Sequence, residues 1–86
     1  MNRKNLQKFI HEFAELSDAA LIRKKLGAIE QEKFFSRAVQ DAQKELQKFG
    51  EKATELKIKV LKSRQSYWGQ RVAAYSEVLA WRERND

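Results

Sequence analysis

The chain has 86 residues, with no proline, no cysteine and three glycines, and its 18 basic and 12 acidic side chains give a net charge of +6. That length supports a single domain, 1–86, whose modest core oligomerisation would reinforce. The composition excludes a disulfide framework and thiol chemistry. Apolar runs of only a few residues argue against a signal peptide or a membrane span, so the expected location is cytoplasmic.

Ala, Leu, Glu, Gln, Lys and Arg dominate, all of them good helix formers. No strict β-type alternation and no Asn-Gly or Asp-Gly turn is present. The expected fold is therefore all-α. The first helix reads from about Arg3 to Leu16, because Leu6, Phe9, Ile10, Phe13 and Leu16 recur at three- and four-residue spacings. Ser17-Asp18 interrupts it, and either residue can cap a second helix starting at Ala19.

The early face of that second helix carries Leu21, Ile22, Leu26 and Ile29. From Phe35 onward the pattern becomes a heptad seam: Phe35, Val39, Ala42, Leu46, Phe49, Ala53, Leu56 and Val60 alternate steps of four and three. Gly50 lies inside it and admits two readings. A continuous coiled-coil rod over about 28–82 keeps the seam unbroken but must dimerise to bury it. Alternatively Gly50 ends one helix, Thr54 caps the next, and arms of about 19–49 and 54–83 fold into an antiparallel hairpin. Glycine costs about 1 kcal/mol inside a helix. That cost and the matched arms tip the balance toward the hairpin, preceded by the short first helix and assembled as a homodimeric bundle.

The last stretch carries two adjacent apolar rows. One holds Ile58, Leu61, Trp68, Val72, Tyr75 and Leu79, and the other Val60, Tyr67, Ala74, Val78 and Trp81. A face this wide meets more than one neighbouring helix.

Candidate chemistry is sparse. His11 and Glu15 share a helix face, but two ligands without a further His or Cys do not hold a metal. The serines lack any base except His11, and no glycine-rich phosphate loop exists. The acid pairs Asp41 with Glu45 and Glu51 with Glu55 read as solvated surface. The expectation is a non-enzyme with no cofactor, no metal and no small-molecule substrate.

Binding is the alternative to chemistry. Phe35, Val39, Leu46, Phe49, Leu56 and Val60 are the expected partner seam, for a second copy of the chain or another protein. Trp68, Tyr75 and Trp81 are candidate aromatic contacts. No acid occurs from Leu56 through Ser76, while Lys57, Lys59, Lys62, Arg64 and Arg71 do. Those five form a candidate polyanion patch, and a small basic DNA- or RNA-binding regulator is the rival reading. The basic cluster Arg23-Lys24-Lys25 after the Ser17-Asp18 break loosely fits a helix-turn-helix. A Trp-bearing helix lying on an anionic membrane is the weakest option. The sequence thus favours a helical protein–protein interaction module: an adaptor, a chaperone-like factor or a regulator.

Overall fold

The computed structural model describes residues 1–85. Three helices follow in order: α1 (Arg3–Glu12), α2 (Asp18–Phe49) and α3 (Lys52–Arg84). The all-α expectation holds, and the two long helices pack against each other. Glu45 meets Lys57 beside the turn, and Asp18 meets Arg82 at the far end. These two pairs place α2 and α3 antiparallel. The continuous rod is thereby replaced by the hairpin.

Each boundary has a local cause. Asn2 starts α1, its side-chain oxygen accepting from the Asn5 amide at 2.8 Å. The first helix was expected to reach Leu16 but stops at Glu12. Phe13 explains the early stop. Its ring is buried in the core, and its carbonyl accepts from Arg82 Nη2 at 2.8 Å. The same carbonyl accepts from the Leu16 amide at 3.0 Å in the turn that follows, and α3 supplies its second donor. Ser17 then caps α2 as expected, its Oγ accepting from the Ala20 amide at 3.1 Å. Asp18 in the first turn suits the positive end of the helix dipole.

Gly50 makes the reversal. Its φ of 61° is left-handed, and its amide donates to the Leu46 carbonyl at 2.7 Å. Glycine reaches this conformation without the Cβ clash that other residues meet there. Thr54 is not the cap of α3. Glu51 occupies that position without a side-chain cap bond, and Thr54 is buried within the first turn.

The reversal also resets the heptad phase. Phe35, Val39, Ala42 and Leu46 are buried or half-buried on α2. Their counterparts on α3 are not Ala53, Leu56 and Val60, which are exposed. The inward row of α3 runs Thr54, Ile58, Leu61, Gln65, Trp68, Val72, Tyr75 and Leu79, every member buried or half-buried. It keeps the same alternating spacing, shifted by two residues. Thr54 and Gln65 interrupt it with polar side chains, so by hydropathy it is the less regular of the two patterns.

The main core sits at the open end of the hairpin, called the base below. Phe13, Leu21, Ala28, Ala74, Tyr75 and Val78 are buried together, with Leu6, Phe9, Ile10, Leu16, Trp68, Val72 and Leu79 packed around them. Complete burial of a side chain such as Leu21 or Val78 stabilises the fold by about 1.5–3 kcal/mol. The opposite, turn-bearing end (the tip) consists of α2 and α3 alone. The principal extents of 55 × 24 × 17 Å describe this elongated shape.

Candidate docking surface

The second apolar row of α3, Val60, Tyr67, Ala74, Val78 and Trp81, is extended one turn toward the tip by Leu56. Their spacings of three, four and seven place them on one helical face. The row has two fates. Ala74 and Val78 are buried, and α1 packs on α3 there through the shared core cluster. Trp81 is half-buried. Toward the tip, Leu56, Val60 and Tyr67 lie open to solvent. With Phe34 and Phe49 of α2 they are 53–67% exposed.

At the base, two arginines fasten α1 to α3. Arg71 Nη1 donates to Glu12 Oε1 at 3.1 Å, and Nη2 donates to the Tyr75 hydroxyl at 3.0 Å. Its guanidinium carbon also lies 5.8, 5.2 and 5.1 Å from the ring centroids of Phe9, Phe13 and Tyr75. Cation–π contacts at such distances contribute about 0.5–2 kcal/mol each. Partial burial pulls the Arg71 pKa down, but the hydrogen bonds to Tyr75 and Glu12 outweigh it and hold the group above its ordinary value. Arg82 Nη1 donates to Asp18 Oδ1 at 2.8 Å, while its other nitrogen holds the Phe13 carbonyl.

The expected partner seam divides. Phe35, Val39 and Leu46 face α3 within the same chain, whereas Phe49, Leu56 and Val60 are exposed. Of the expected aromatic contacts, Tyr75 is buried in the base core, and Trp68 and Trp81 are half-buried.

The expected polyanion patch divides as well. Arg71 is committed to Glu12 and Tyr75. Lys57 Nζ lies 3.7 Å from Glu45, with both side chains largely solvated, and Arg64 sits 6.0 Å from the Phe35 ring centroid. Lys59 and Lys62 are exposed. At 100° per residue, Lys57, Arg64 and Arg71 form one heptad-spaced row beside the apolar stripe. Lys59 lies on the stripe's other flank, and Lys62 points further round the helix. The five cations therefore do not converge on one surface.

Phe34 escaped the sequence reading. It precedes the seam residue Phe35, packs edge-on against its ring at 5.2 Å, and remains exposed. The adjacent Phe-Phe pair was the available signal, since consecutive helical residues lie about 100° apart and a contact with one neighbouring helix rarely covers both.

Among the described residues, no three His, Cys, Asp or Glu side chains come together in a metal-binding group, and no helix is long and apolar enough to cross a membrane. The fold and this surface define a class by architecture alone: a two-helix hairpin braced at one end by a short N-terminal helix. Compared with protein-family models, curated proteins and solved structures, the chain matches none.

Proposed function

We propose that this chain is a non-enzymatic protein–protein interaction module, and that the uncovered half of the second α3 row is its docking surface. The carrying observation is the exposure of Leu56, Val60 and Tyr67, together with Phe34 and Phe49, on a helix whose equivalent row is covered at the base. Several large apolar side chains left exposed on one half of a small protein are characteristic of an interaction site. An adaptor, a chaperone-like factor and a regulator all fit this reading. A homodimer is its simplest form, but the hairpin already buries Phe35 and Val39 within one chain. The seam therefore no longer requires a second copy. The nucleic-acid alternative loses support from the division of the basic residues among several faces.

A photo-crosslinking residue at position 67, introduced into the full chain in its native host, tests the reading. A discrete protein adduct is expected at position 67 and absent from a control label at position 62, an exposed residue that points away from the stripe. Adducts removed by nuclease, or equal protein labelling at both positions, would overturn it.

A further inference from the structure

The stripe and its flanking cations repeat along α3. Val60, Tyr67, Ala74 and Trp81 are spaced by seven, and so are Lys57, Arg64 and Arg71 beside them. At the base this double row is occupied. The apolar residues of α1 pack with Ala74 and Val78 in one cluster, and the carboxylate of Glu12 meets Arg71 at 3.1 Å. At the tip the apolar row stands open, as Leu56, Val60 and Tyr67, beside the exposed Arg64 and beside Lys57, whose ammonium lies 3.7 Å from Glu45 in a solvated pair. Lys52 and Lys59, also spaced by seven, border its other flank.

From this repetition we infer that the tip takes a short amphipathic helix with an acidic border, supplied by another protein, which docks as α1 does. This rests on the interaction-module reading and assigns the chemistry of its partner. The ligand's apolar residues would cover Leu56, Val60 and Tyr67, and its carboxylates would meet Arg64 on one flank, as Glu12 meets Arg71, and Lys59 on the other. Leu56 to Tyr67 spans eleven residues, about 16 Å, so three helical turns suffice.

Charge argues against a second copy as the occupant. Residues 34–67 carry eight basic and four acidic side chains, a local net charge of +4, so two identical tips would oppose like charges. The acids only partly offset this charge. Glu45, with Asp41 four residues earlier on the same face of α2, lies on the Lys57 side, while Glu51 and Glu55 lie away from the stripe on the helical wheel, so Arg64, Lys59 and Lys52 carry the basic excess at its borders.

Three dye-labelled 15-residue helical peptides test the proposal. They share one leucine row and are bordered by Glu, Gln or Lys. Fluorescence anisotropy with the full chain should show the Glu peptide binding at least tenfold more tightly than the Gln peptide, and the Lys peptide not binding. Higher salt should narrow the difference. Leu56→Ser with Tyr67→Ser should weaken binding at least tenfold while circular dichroism stays unchanged. Lys59→Glu with Arg64→Glu should transfer the preference to the Lys peptide. Equal binding of the Glu and Lys peptides, no binding of either, or binding that survives the Leu56/Tyr67 change would overturn the inference. So would a micromolar dimer by light scattering that the Leu56/Tyr67 change dissolves. That dimer would leave the interaction-module reading standing, whereas nuclease-sensitive adducts at position 67 would remove both.

Discussion

At the base, three helices share a core, two arginines tie the layers together, and the second row of α3 is covered from Ala74 to Val78. At the tip, two helices share a single inward row, and Leu56, Val60 and Tyr67 face water. The helix, its spacing and its residue types are nearly the same in both halves. What differs is whether a third helix is present. Covering a row gives stability and leaving it open gives binding capacity, and this chain assigns one role to each end.

The largest contrast should come from truncating one apolar residue in each half. Leu21→Ala removes a fully buried side chain and should cost about 2–5 kcal/mol. Phe49→Ala removes a larger but exposed one and should change stability by no more than about 0.5 kcal/mol. Urea denaturation followed at 222 nm measures both, and equal losses would erase the distinction between the halves.

Arg82→Ala tests the fastening of α1. It removes the donors to the Phe13 carbonyl and Asp18. Asp18 is well solvated, so most of the loss, about 1–2 kcal/mol, should come from the carbonyl. Hydrogen exchange should show α1 amides losing protection while amides near the tip keep theirs.

Gly50→Ala probes the turn. An alanine held at a φ of 61° should cost about 1–2 kcal/mol, read as a lower melting temperature with helicity retained. Gly27→Ala should have the smallest effect, with the opposite sign. A Cβ there meets nothing within 4 Å in a helix interior, so stability should rise by about 0.4–1 kcal/mol in the same melting experiment.

Much of this architecture was legible in the residues. The Ser17 cap, the Gly50 reversal and the two rows of α3 all follow from local chemistry and periodicity. The phase of the seam was not legible. Phe35 to Val60 kept perfect heptad spacing across a turn that points Ala53, Leu56 and Val60 away from α2, and spacing alone carries no information about direction after a reversal. The end of α1 was hidden for another reason: Phe13 at its C-cap packs into a core built by later helices, and its carbonyl meets Arg82, 69 residues later. Arg71 shows the same limit for the candidate site. By composition it belongs with Lys57, Lys59, Lys62 and Arg64, and only the docking of α1 commits it to Glu12 and three aromatic rings.

The fastening of α1 also fixes an order of events during synthesis. α1 emerges first, yet its contacts lie 59 to 69 residues downstream, at Arg71 and Arg82. At translation rates of roughly 5–20 residues per second, Asp18 waits about 3–13 s for Arg82 to be made. The turn at Gly50, by contrast, joins near neighbours in sequence, so contacts at the tip close short loops and contacts at the base close long ones.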